Sequence, residues 1–256
     1  MNWKTFTAML GRDAHVARRN LATFLLQTML QPLLFVFVFG RVLVSSGMMA
    51  GSYKGVILPG IMSISMMISG VQAVAMPLIA EFQFTREIED RLLAPMRIEW
   101  LAVEKIIAGM LQALVAGAVV VPAAWLLLGS GVGLSLQKPI LFVVVALLVA
   151  LLSSTGGLAL GCSVGQTQIG LMFSLVLTPM IMFGCVYYPW SALSNFPVIK
   201  AAVLINPLVY ASEGLRGTLA PQYPHIPLLI IVAVLVVANA GLVVLGLNRF
   251  VKKAVS

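Results

Sequence analysis

The chain has 256 residues, 61% of them hydrophobic and 9% charged, with a mean hydropathy of +1.05 and a net charge of +8. Soluble domains carry about 25% charged residues, so this composition excludes a soluble globular protein. The positive charge reads as membrane topology and contact with anionic lipid; no nucleic-acid partner is expected, since no basic cluster is interleaved with aromatics.

Residues 1–20 are predicted to form an amphipathic interfacial helix. Trp3, Phe6, Leu10 and Ala17 fall on one face, and Lys4, Arg12, His15 and Arg19 on another. That pattern suits a helix lying flat in the headgroup layer; the alternative is a basic flank of the first span. The stretch does not read as a signal peptide. Its charges are spread over 20 residues, and the apolar run that follows is full length with no evident cleavage site.

A spanning helix needs about 20 mostly apolar residues. The uncharged runs predict an all-α membrane protein with one transmembrane domain over 21–250 and six spans, near 21–43, 56–80, 103–128, 139–161, 169–187 and 226–247. The polar turn Ser163–Gln168 divides the fourth span from the fifth. With the N-terminus inside, eleven Lys and Arg residues lie on the inner side and five on the outer. This bias predicts both termini in the cytoplasm. In that topology Cys162 and Cys185 sit near opposite faces, too far apart for a disulfide.

Span 4 is read as containing Gly157, Gly161 and Gly165, each four apart, a spacing that lets helix backbones approach closely. Gln27, Gln31, Gln72, Gln112 and Asn239 lie within spans and read as interhelical hydrogen-bonding groups. Span 5 contains Pro179, which removes a backbone donor and permits a bend. The stretch 187–225 alternates short apolar pieces with Pro189, Pro197, Pro207, Pro221 and Pro224, predicting re-entrant or interfacial helices between spans 5 and 6. Within it, Glu213 and Arg216 are three apart and can pair on one helix face.

Residues 81–105 hold six of the eight acidic residues, together with Arg86, Arg91, Arg97 and Lys105. Helical spacing aligns Phe84, Ile88 and Leu92. Glu87 can pair with Arg91 and Arg86 with Asp90, and Glu89 adds to the charged side. Pro95 stops the helix. The product is a short charged helix between spans 2 and 3, which can lie on the membrane or seat its apolar knobs in a partner's groove.

Catalytic chemistry is missing from the pattern. There is no G-x-x-x-x-G-K-[ST] to hold nucleotide phosphates, so no ATP hydrolysis is expected of this chain. His15 and His225 have no ligand cluster around them, so no metal site is expected. Nothing brings a nucleophile, a base and an acid together.

The charged stretch resembles the coupling-helix region of ABC-2 type transporter permeases, where an acidic, arginine-bearing helix ends in a Leu-Leu-Ala-x-Pro-like stop. Here the matching residues are Phe82–Gln83 and then Glu89–Asp90–Arg91–Leu92–Leu93–Ala94–Pro95. Leu58–Pro59–Gly60, Tyr187–Tyr188–Pro189, Ile205–Asn206–Pro207–Leu208–Val209–Tyr210 and Glu213–Gly214–Leu215–Arg216 resemble further motifs of that family, in the same order along the chain. The look is that of drug, nodulation-factor and polysaccharide exporters, although Tyr188 stands where the family has phenylalanine.

The resemblance implies a non-catalytic permease in the inner (cytoplasmic) membrane, paired with a second copy of itself. A separate soluble ABC ATPase, carrying the ATP and magnesium, would dock on Phe84, Arg86, Glu87, Ile88, Glu89, Asp90, Arg91 and Leu92. This chain itself would bind no cofactor. Phe183, Tyr187 and Tyr188 become candidates for an outer gate or dimer interface, or alternatively for aromatics anchored at the interface beside a static kink. Glu213 and Arg216 become a re-entrant ion pair. The substrate expected is amphipathic or lipid-like. The competing classes are an ATP-independent carrier or channel, which calls for ionisable residues within the spans, and a membrane-embedded enzyme or scaffold, which calls for a polar catalytic cluster.

Overall fold

The computed structural model describes residues 3–19, 30, 32–51, 53–83, 97–128 and 133–255. Among these the chain is helical, with no strand. In lipid every backbone polar group must be satisfied internally, and a helix does so within a single segment.

The helices, in chain order, are α1 (Trp3–Arg19), α2 (Pro32–Ser45), α3 (Tyr53–Gln83), α4 (Ile98–Leu128), α5 (Pro139–Ser163), α6 (Ile169–Met182), α7 (Pro197–Ile205, its last turn 3-10), α8 (Pro207–Leu219) and α9 (Leu228–Val255). Four of them, α3, α4, α5 and α9, are long and apolar enough to cross a membrane. The pair α7 and α8 meets at an angle of 97° and adds a fifth crossing if counted as one broken span.

α3 is the central element. It packs against α2, α4, α5 and α8, and 83% of its apolar window is buried, against 17% in α9. Small residues bring α5 onto it: a Cβ on Gly157 would press on the Val71 backbone, and one on Gly161 on the Ala75 backbone. Gly165 lies beyond the end of α5. Asn239 of α9 donates to the Leu148 carbonyl of α5 at 3.0 Å, an amide joining two helices as its position in the sequence suggested.

The predicted spans differ from the helices at their ends. Of span 1, residues 21–29 and 31 lie outside the described residues, and α2 begins at Pro32. Span 5 was expected to reach residue 187, but α6 stops at Met182. Pro179 cannot donate to the carbonyl four residues back, and the turn before it, Phe173–Leu177, is widened to π-helix. The chain then turns through Gly184, packed tightly on Leu208, and Cys185, whose φ of 50° is left-handed. In the other direction α9 runs to Val255, past the predicted limit of 247.

Candidate functional site

Two polar centres stand out, one at each end of the bundle. We call the end holding Tyr53, Leu128 and Leu219 the crown, and the end holding Gln83, Ile98 and Phe250 the base.

The crown is organised by α8. Asn206 caps this helix by accepting the Leu208 N–H at 3.0 Å, and Pro207 occupies the first helical position, where a missing donor costs nothing. The Asn206 amide also donates to the Met180 carbonyl at 2.6 Å, tying α8 to α6. Every residue from Leu208 to Leu219 is buried, Glu213 and Arg216 completely.

Taking two charges out of water costs several kcal/mol per ion unless their hydrogen bonds are met. Here they are. Arg216 Nη1 donates to Glu213 Oε1, and Nη2 donates to the Cys185 carbonyl at 2.9 Å and the Val186 carbonyl at 3.3 Å. Nε donates to the Val56 carbonyl at 3.3 Å. Glu213 accepts the backbone N–H of Trp190 at 2.9 Å and of Ile226 at 3.1 Å. One ion pair thereby joins α8 to the start of α3, the turn after α6, the 3-10 turn Trp190–Asn195 and the lead into α9. Gly60 completes the contact, since a Cβ there would overlap the Val186 carbonyl.

The three candidate gate residues separate. The Tyr187 ring packs on Phe35 and Phe39 of α2, with centroids 5.0 and 5.8 Å away, and its carbonyl accepts the Tyr53 hydroxyl at 2.6 Å. Tyr188 donates its hydroxyl back to the Met182 carbonyl at 3.2 Å. Phe183 projects outward, about half exposed. The crown also draws on basic residues to close helix ends. Arg41 donates to the Leu127 carbonyl at 2.9 Å and Lys54 to the Leu128 carbonyl at 3.2 Å, where cations stabilise a helix C-terminus.

At the base, Lys105 of α4 reaches two carboxylates, Glu81 of α3 at 2.7 Å and Asp13 of α1 at 2.8 Å, with its side chain 4% exposed. Beneath lies an apolar cluster of Leu78, Leu101, Ile106 and Phe250, against which Met9 of α1 and Phe82 pack. Arg249 and Lys253 of α9 close the end of α5, through Ser163 Oγ and the Gly161 carbonyl respectively.

The predicted docking residues Phe84, Arg86, Glu87, Ile88, Glu89, Asp90, Arg91 and Leu92 lie outside the described residues. Their chain connections do not: the stretch leaves α3 at Gln83 and enters α4 at Ile98. Cys162 and Cys185 are free thiols, one at the base and one at the crown. Among the described residues no group of three or more His, Cys, Asp or Glu side chains could hold a metal ion.

The Asp13–Lys105–Glu81 group was not singled out from the sequence. Its members are 92 and 24 residues apart, and no local pattern reports such a pairing. The available signal was an apolar helix start carrying Glu104 and Lys105 on its inner side.

A family model described as ABC-2 type transporter matches residues 4–220. No curated protein matches the chain.

Proposed function

The chain belongs to the ABC-2 type transporter family, and on that premise we propose that it is the permease subunit of an ATP-driven exporter. It is a multi-pass membrane protein whose family supplies the non-catalytic membrane part of such machines. In our reading six spans cross the inner (cytoplasmic) membrane with both termini in the cytoplasm. α2 completes the first span, α6 with the turn after it forms the fifth, and α7 and α8 are re-entrant. Two copies enclose a path lined or closed by α2, α3 and α6. An amphipathic or lipid-like molecule leaves the cytoplasm along it. A separate soluble ABC ATPase, holding ATP and magnesium, docks on residues 84–92.

The observation that carries this reading is the position of α3. The most buried of the four long helices, touching α2, α4, α5 and α8, is the one that leads directly into the charged stretch. A displacement applied after Gln83 therefore acts on the helix shared by the whole bundle. Both α3 and α4 have 31 residues, about 46 Å at 1.5 Å per residue. That exceeds the roughly 30 Å of hydrocarbon, which leaves length for their base ends to extend past the bilayer core toward a soluble partner.

The test is co-purification of the permease with its ATPase. Buried apolar anchors at interfaces are commonly worth 2 kcal/mol or more, roughly 30-fold in affinity, and rim charges less. Leu92→Asp should lose ATPase binding on that scale while purifying with an unchanged melting temperature. Wild-type association and coupled ATP use in Leu92→Asp would refute the docking assignment.

A further inference from the structure

α1 is tied to the base independently of the chain that follows it. From Arg19 the sequence runs on to α2, yet α1 packs against α4. Two contacts join it to the base. Met9 rests on the apolar cluster around Leu101 and Phe250, and Asp13 takes the Lys105 ammonium at 2.8 Å. The first is non-directional and lets a helix slide. The second fixes register, because the same nearly dry ammonium is held by Glu81 at 2.7 Å. Lys105 thus grips three helices at one point: α4, which bears it, α3 through Glu81, and α1 through Asp13. Glu81 and Lys105 also flank the stretch between Gln83 and Ile98.

We propose that Lys105 is a positioning residue that makes α1 move as one body with the base ends of α3 and α4, so that force entering between residues 83 and 98 reaches the membrane-surface helix as well as the bundle. This rests on the reading that an ATPase acts on that stretch. An ammonium is well suited to such a junction, being a compact point charge with three donors that can hold two carboxylates from different helices. Losing it removes the one group that Asp13 of α1 and Glu81 of α3 share, and with it the direct polar link from α1 through α4 to α3.

Gly11 provides the reporter position. It lies on the exposed side of α1 with open space around it, and replacing glycine within a helix favours the helix. A spin label on Gly11→Cys is read in the full permease–ATPase complex in proteoliposomes, before and after Mg·ATP, with ATPase association and hydrolysis measured on the same samples. With Lys105 present the spectrum should change on adding Mg·ATP. In Lys105→Met, and in Asp13→Asn, which leaves the Lys105–Glu81 pair in place, most of that change should be lost while the ATPase stays bound and active. Lys105→Arg should restore it. Should Lys105→Met fail to reach the membrane, Asp13→Asn decides the matter alone. An undiminished response in Asp13→Asn or Lys105→Met overturns the proposal, as does a silent label in a wild-type complex that hydrolyses ATP. Failure of any ATPase to associate with the wild-type chain instead overturns the permease reading, and this inference with it.

Discussion

Without its guanidinium, Arg216 would leave the Glu213 carboxylate buried beside two backbone donors and no cation. The carbonyls of Val56, Cys185 and Val186 would lose a shared donor. Breaking a buried pair from one side costs about 3–5 kcal/mol, so Arg216→Met should lower the melting temperature in detergent sharply. Replacing both partners by apolar residues should cost less than either single change, because no lone charge remains. A single variant that melts with the wild type would show that the pair does not hold the crown. The spacing of Glu213 and Arg216 made their pairing legible in the sequence. Their complete burial was not, because it depends on backbone carbonyls contributed from residues 56, 185 and 186. For Lys105 not even the pairing could be read, since its partners come from two other helices.

Helices were readable where periodicity and length decide them, and their ends were less so. The glycines of α5, four apart, announced a close contact, and Val71 and Ala75 of α3 receive it. Pro179 announced a break in α6. What ends that helix is a tertiary feature, the turn at Gly184 and left-handed Cys185 wedged beneath α8. The outcome divides the aromatic trio: Tyr187 turns in toward α2, while Phe183 joins Leu171, Leu175, Val176 and Met182 on an exposed apolar side of α6. If that side meets a second copy, cysteines at Met182 or Phe183 should crosslink two subunits, with a yield that changes on adding ATP. A cysteine at Tyr187 should crosslink poorly by comparison. No crosslink at Met182 or Phe183 in a complex with intact ATPase activity would place the subunit contact and the gate elsewhere.

For the molecule as a whole, the division of charge sets the expected topology. A cysteine placed at Ser135, between α4 and α5, should take a thiol label from outside intact cells, and one placed at Ser256 only after permeabilisation. External labelling of Ser256 would overturn the orientation. The helical class and the order of the long apolar segments were legible because hydropathy reports them directly. The docking residues rest on sequence pattern and resemblance, since they lie outside the described residues. The crown also has a history in time. Arg216 bonds to a carbonyl 160 residues earlier in the chain, and chains are made from the N-terminus onward. The seam between α3 and α5 is complete once Gly161 has been added, but the crown end of α3 must wait for α8. Closure of the crown is therefore a late event in synthesis, and until residue 216 arrives the carbonyls of Val56, Cys185 and Val186 wait for their shared donor.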